Sequence, residues 1–204
     1  MPEWTLVIPL KPPGAGKTRL GSDAELARAI ALDTVEAAAA AARVGRVIVV
    51  TADTALAEDL DAMAGVEVAL EPRPAGIAAA IARGLGKTPE AEPRAALLGD
   101  LPGLVAAELD DVLAWAEEHD LAFVPDADGT GTTLVTARAG VPLVERFGGG
   151  SAAAHRAVGL VQLDLPESSS VRRDVDDPAQ LAELAARGIG PRTRALLDAR
   201  SAEV

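Results

Sequence analysis

The chain has 204 residues, enough for one domain (1–204) with a sizeable core, and 49% of them are apolar, mostly Ala, Leu and Val. A net charge of −12 argues against a nucleic-acid backbone as partner, and with no Tyr, two Phe and two Trp there are few platforms for stacking bases. Cysteine is absent, which excludes disulfides and thiolate zinc sites, and neither a signal-peptide pattern nor a run near the roughly 20 apolar residues of a membrane span occurs, so the expectation is a cytoplasmic protein without a membrane partner.

Thr5 to Leu10 is a short apolar run that predicts a buried strand, followed by a Pro-, Gly- and Lys-rich loop from Lys11 to Gly21. Ser22-Asp23-Ala24-Glu25 matches a capping box with Ser22 as N-cap, and the helix it opens is expected to reach about Arg43, with Gly45 as its C-terminal glycine. Arg46 to Thr51 is a β-branched strand of the kind buried on both faces. A helix over 54–63, a strand over 66–70 and an Ala-rich helix opening at Pro72 to Gly76 and ending near Gly84 follow. Next come a strand over 95–98, a helix over 105–118 and a strand over 121–125. This alternation is the signature of an α/β domain with a mostly parallel sheet. Beyond Pro125 the rhythm changes to a turn-rich loop, a strand over 132–136, a glycine hinge before a short helix, and a strand over 160–165. Pro178 opens a further helix, and another closes the chain from about Arg192.

Four segments fall at strand ends, where open α/β sheets bind ligands. The first contains Gly16-Lys17-Thr18, but a P-loop needs glycine where Lys11 stands, and Pro12-Pro13 remove two backbone donors. What remains is a glycine loop carrying Lys11, Lys17 and Arg19, suited to an anionic ligand or simply a basic turn in solvent. The second is Gly99-Asp100, where the aspartate after a strand could hold a metal ion or cap a helix. The third joins Asp126 to Thr133 with Gly148-Gly149-Gly150-Ser151, an anion pocket or an ordinary hairpin turn. The fourth is Arg172 to Asp177. Val171 and Val175 suggest a short strand that would project Asp174 and Asp176 to one side, where two carboxylates repel unless a cation lies between them. Asp177 is expected to cap the helix at Pro178. Asp100, Asp174 and Asp176 together would offer three carboxylates to a divalent metal, a recurring part of phosphoryl and nucleotidyl transfer. His119 and His155 are poor general-base candidates; a supporting role for His155, one turn after Ser151, is open.

Taken in order, these segments resemble a family. Lys11…Gly14-x-Gly16-Lys17-Thr18-Arg19-Leu20, Gly99-Asp100-Leu101-Pro102, Asp128-Gly129-Thr130-Gly131-Thr132-Thr133, Phe147-Gly148-x-Gly150-Ser151-x-x-x-His155 and Asp174-Val175-Asp176-Asp177-Pro178 look like the guanylyltransferases of coenzyme F420 biosynthesis, which activate 2-phospho-L-lactate or phosphoenolpyruvate with GTP. The resemblance implies a three-layer, nucleotide-diphospho-sugar-transferase-like (Rossmann-like) α/β fold with a mostly parallel, mixed sheet. It also implies Mg2+ on Asp100, Asp174 and Asp176, with Lys17 among the catalytic groups. The loop of Lys11, Gly14, Gly16, Lys17 and Arg19 would hold GTP, and Thr132, Thr133, Gly148 and Ser151 the three-carbon acid. Many relatives carry Gly-Leu-Asn-x-Ala where this chain has Gly76-Ile77-Ala78-Ala79-Ala80, which leaves backbone groups around Gly76 as the expected nucleoside contact. In relatives from high-GC bacteria the acceptor is phosphoenolpyruvate, and the unstable product implies transient contact with the downstream transferase. A molybdenum-cofactor-type or sugar-phosphate nucleotidyltransferase, and a non-catalytic nucleotide-binding module, are the alternatives on the same fold.

Overall fold

The computed structural model describes residues 3–10 and 23–202. Its apolar runs become seven strands: β1 Trp4–Leu10, β2 Val44–Thr51, β3 Val66–Leu70, β4 Arg94–Leu97, β5 Leu121–Pro125, β6 Thr132–Ala137 and β7 Val161–Gln162. They form one sheet in the order β3-β2-β1-β4-β6-β5-β7. β1 to β4 are parallel, β6 runs antiparallel to both β4 and β5, and β7 pairs parallel with β5.

The strands lack polar alternation because both of their faces are covered. Leu6, Ile8, Val47, Val49 and Leu97 meet Leu32 and Val35 of α1 (Ala24–Ala39), Leu56 and Leu60 of α2 (Thr54–Asp61), and Leu109 and Leu113 of α4 (Ala106–Ala116). On the opposite face Val7, Ile48 and Val50 pack on Ala80 of α3 (Ile77–Leu85), while Phe123 and Val135 pack on Ala152 of α5 (Ser151–Ala157). The result is three layers around small aliphatic side chains. Two further helices, α6 (Pro178–Arg187) and α7 (Pro191–Ala202), cover the start of α1 through Leu26, Ile30, Leu181, Leu184 and Val175. The buried carboxylate of Asp33 caps α7 by accepting from Arg192 N (3.1 Å) and Thr193 N (2.8 Å), and Arg200 at the far end pairs with Asp23. Among the described residues no helix is long and apolar enough to cross a membrane.

Several boundaries differ from the sequence reading. Asp23, not Ser22, is the N-cap of α1, its carboxylate accepting from Leu26 N at 3.1 Å. The helix stops at Ala39, before its Ala run is finished, because Asp110 of α4 takes the N–H groups of Ala42 and Arg43 at 2.9 and 2.7 Å. Gly45 therefore lies inside β2 rather than at a helix end. The last strand is two residues long, and Val171 to Asp177 is not a strand but a 3-10 turn, Ser170–Arg172, followed by an extended segment.

α3 lies tight on β1. A Cβ at Gly84 would collide with Val7 Cγ1 and come within 3.2 Å of Val50 Cγ2, both on stiff β-branched side chains. Alanine gains roughly 1 kcal/mol of helix propensity over glycine, whereas overpacking costs about 1–3 kcal/mol. Gly84→Ala is expected to lower the melting temperature by about 2–4 °C in thermal denaturation, the shift that a net loss near 1 kcal/mol gives at this size.

Candidate active site

The carboxyl edge of the sheet collects most of the segments singled out above. β4 hands over to β6 through a bond from Leu98 N to Thr133 O (2.9 Å) and then turns at Gly99. A Cβ at Gly99 would overlap the tip of the Leu10 side chain at the end of β1, so the turn lies close against that strand. The carbonyl of the next residue, Asp100, accepts from Val175 N at 3.0 Å, and this bond lays the extended segment 173–177 across the edge. Val175 is buried in the apolar cluster over α1, while the flanking Asp174 is half-buried and Asp176 exposed. Asp177 caps α6 as expected, in a capping box with Gln180.

Asp174 is the electrostatic centre of this edge. Burial, and then the negative charges of Asp100, Asp126 and Asp176, push its carboxyl up to about 8. The sequence pointed to Asp100, Asp174 and Asp176 as metal-binding acids; the structure adds Asp126 to their field, a residue that the sequence placed in the loop read as an anion pocket or a hairpin turn. It serves that turn too, its carboxylate accepting from Thr130 N (2.9 Å) and Gly131 N (2.7 Å) in the β5–β6 hairpin. Among the described residues no three acids stand close enough to form a ready-made metal cage.

Two residues that the sequence left without a role hold this edge in place. The Arg172 guanidinium donates to Asp126 O (2.8 Å), Leu165 O (2.9 Å) and Pro125 O (3.3 Å), binding the acidic segment to the hairpin 46 residues earlier. Glu108 in the first turn of α4 accepts from Ser170 N (2.7 Å), Ser170 Oγ (2.9 Å) and Ser169 Oγ (3.1 Å), anchoring the 3-10 turn from the other side. An arginine at the head of the acidic segment was the available signal for Arg172, but nothing local announces a reach to distant carbonyls.

The start of β6 forms the neighbouring wall. Its register against β5 shifts between Val124 and Pro125, so that Pro125 faces Thr132 and Thr133 is extra. Such a bulge re-aims side chains, and the two threonines part. Thr133 is fully buried and donates its hydroxyl to Val171 O at 2.6 Å, while Thr132 Oγ1 lies 3.0 Å from Nδ1 of the buried His155. Nε2 of the same ring accepts from Arg146 N at 2.8 Å. Burial holds the imidazole neutral, lowering it to about 4, against a raising effect of the Ser151 backbone and with a further lowering by the Arg146 charge. Gly148 (φ 138°) and Gly150 (φ 72°) adopt backbone angles that side-chain-bearing residues rarely take, turning the chain into α5 with Ser151 buried at its first position. Ser151 N bonds Gly148 O (3.1 Å), and Ala152 N reaches back to Thr130 O (3.1 Å), so Gly148, Ser151 and the Thr132 hairpin form one unit.

Gly76 is the N-cap of α3, with no side-chain cap bond, and α3 packs over β1 and β2, across β1 from Asp100. Lys11, Gly14, Gly16, Lys17 and Arg19 lie outside the described residues.

Residues 19–165 match the model of the MobA-like NTP transferase domain. Over 203 residues the chain is 45% identical to a phosphoenolpyruvate guanylyltransferase of Streptomyces coelicolor, covering 95% of each chain. A phosphoenolpyruvate guanylyltransferase of Thermomonospora curvata is also 45% identical, over 95% of this chain and 88% of that one. The chain belongs to the phosphoenolpyruvate guanylyltransferase family, built on a MobA-like NTP transferase domain. Solved structures share the fold at lower identity. A nucleotidyl transferase from Methanothermobacter thermautotroptrophicus superposes with a TM-score of 0.66 at 18% identity, covering 91% of this chain and 97% of that one. A Mycobacterium tuberculosis protein in complex with manganese gives 0.58 at 20% identity, covering 90% and 97%. The guanylyltransferase family thus carries the nucleotide-diphospho-sugar-transferase-like α/β fold that the sequence implied.

The raised Asp174 carboxyl makes a stability prediction. Folded, it keeps its proton up to about pH 8, whereas an unfolded aspartate loses it near about 4. Between those values the folded state binds more protons, so this group's contribution to stability falls as pH rises. In EDTA, Asp174→Asn is expected to melt a few degrees above the wild type at pH 8.5, the gap narrowing toward pH 5. A gap that stays constant in fluorimetric melts across that range contradicts the carboxylate crowding.

Proposed function

We propose that this chain transfers GMP from GTP to phosphoenolpyruvate, giving enolpyruvyl-2-diphospho-5'-guanosine and pyrophosphate, as a step of coenzyme F420 biosynthesis. The observation that carries the reading is the gathering of Asp100, Asp126, Asp174 and Asp176 at one strand edge beside Thr132 and Ser151. Its specificity comes from the 45% identity to phosphoenolpyruvate guanylyltransferases over nearly the whole chain.

The acids fit Mg2+. A carboxyl kept protonated by burial and by its carboxylate neighbours is relieved by a hard divalent cation, for which Asp100, Asp174 and Asp176 would supply oxygens. Mg2+ fills the positions that protein oxygens leave open with water and substrate phosphate. Bound there, it would neutralise charge on the triphosphate.

The chain's own groups bind and orient. Lys11, Lys17 and Arg19, with amides near Gly14 and Gly16, hold the triphosphate, and the backbone at Gly76 holds the nucleoside. Thr132, Thr133, Gly148 and Ser151 hold the anionic groups of the acceptor, and the Thr133 hydroxyl, donated to Val171 O, also braces the start of the strand. An oxygen of the acceptor's phosphate attacks the α-phosphorus of GTP in line. The new P–O–P bond forms as the α–β bridging P–O bond breaks, and pyrophosphate leaves. A phosphate oxygen is already ionised at neutral pH, so no protein nucleophile or base is required, and catalysis rests on positioning and charge.

Purified protein with GTP, Mg2+ and phosphoenolpyruvate is expected to release pyrophosphate in a coupled colorimetric assay. Asp174→Asn is expected to lower kcat by about 100-fold or more, on the scale of losing a key electrostatic group, with its fold intact by circular dichroism. Lys17→Ala is expected to raise KM for GTP more than KM for the acid. Silence with both phosphoenolpyruvate and 2-phospho-L-lactate, where a relative is active, overturns the reading. Turnover preferring 2-phospho-L-lactate changes the acceptor, and preference for CTP or UTP changes the nucleotide.

A further inference from the structure

His155 is fully buried, and both of its ring nitrogens are engaged with parts of the acceptor wall. Nε2 lies 2.8 Å from Arg146 N, a backbone N–H that can only donate, so Nε2 is an acceptor and carries no proton. A neutral imidazole has one proton, which must then sit on Nδ1. Thr132 Oγ1, 3.0 Å from Nδ1, therefore cannot donate to the ring, and its own hydrogen is left to point elsewhere. Phe123 and Phe147 pack against the ring at centroid distances of 5.4 and 5.5 Å.

This settles a sign. A threonine hydroxyl can present a hydrogen or a lone pair, and an anionic phosphate or carboxylate oxygen accepts only the hydrogen. A ring with its proton on Nε2 would draw the Thr132 hydrogen toward itself and turn a lone pair to the ligand. The ring found here does the opposite. Through Nε2 it also holds the backbone just before the Gly148–Gly150 turn, and it lies one helical turn from Ser151 on α5.

We propose that His155 is a positioning residue for the acceptor half of the reaction: its Nδ1–H makes the Thr132 hydroxyl a hydrogen donor to an anionic oxygen of the three-carbon acid, while its Nε2 fixes the loop that presents Gly148 and Ser151. The proposal rests on the reading that Thr132, Gly148 and Ser151 hold the acceptor.

Two experiments test it. Long-range nitrogen–proton NMR correlation on the unmodified protein reads the tautomer directly, with His119→Asn separating the two histidine signals. The Nδ1–H form is expected, and the Nε2–H form overturns the proposal. Steady-state kinetics then compare His155→Gln, whose amide oxygen can replace Nε2 as acceptor from Arg146, with His155→Asn, whose amide nitrogen can replace Nδ1 as donor to Thr132. His155→Gln is expected to raise KM for the acceptor about tenfold or more, the scale of a hydrogen bond to a charged group, with KM for GTP unchanged. His155→Asn is expected to recover part of that loss. An unchanged acceptor KM in His155→Gln, or an equal rise for GTP, overturns the proposal. Thr132→Val tells the two levels apart: a raised acceptor KM there upholds the acceptor site even if His155 has no effect. An unchanged one removes the site and the proposal together.

Discussion

Because β6 runs against β4 and β5, its first residues reach the same edge at which β4 delivers Asp100 and β5 delivers Asp126. A fully parallel sheet would have placed Thr132 and Thr133 at the opposite end, far from any carboxylate. The bulge at the start of β6 then divides the two threonines. One is turned under the 3-10 turn as a brace, and the other toward α5 and the glycine turn. A single reversed strand thus sets both walls of the site, and the helices on either face have only to hold it in register.

The acidic wall is held together at a cost. Asp174 sits part-buried among like charges, an arrangement that destabilises the folded chain wherever that carboxyl must ionise. Hydrogen bonds around it hold the backbone in place: the Arg172 fork on two backbone segments, Glu108 on the serines of the 3-10 turn, and the Val175 N–H on Asp100 O. None of these bonds neutralises the Asp174 carboxyl itself. The scaffold fixes the backbone that carries the carboxylates, and the crowding at Asp174 is a local cost in stability of the kind found at functional sites.

The layers of the fold were legible in the sequence because most strands are short apolar runs that alternate with longer helical stretches. What failed were ends. α1 stops early and Gly45 becomes a strand residue because Asp110, from a helix far along the chain, takes two backbone donors. The acidic segment is not a strand because it meets the sheet edge through Arg172 and the Asp100 carbonyl instead of a ladder. Asp126 was hidden for a related reason: an aspartate opening a hairpin turn reads as a turn residue whether or not it also faces a distant carboxylate.

By itself the sequence determined the α/β class, the family, and the acids and glycines from which a nucleotidyl-transfer site would be built, since periodicity and motif are local properties. Only the tertiary structure decided which acids share one field, which threonine hydroxyl is free to donate, and which nitrogen of His155 carries the proton. Those depend on strand direction, on a one-residue bulge and on a backbone N–H from another loop, and such contacts join segments that are remote along the chain.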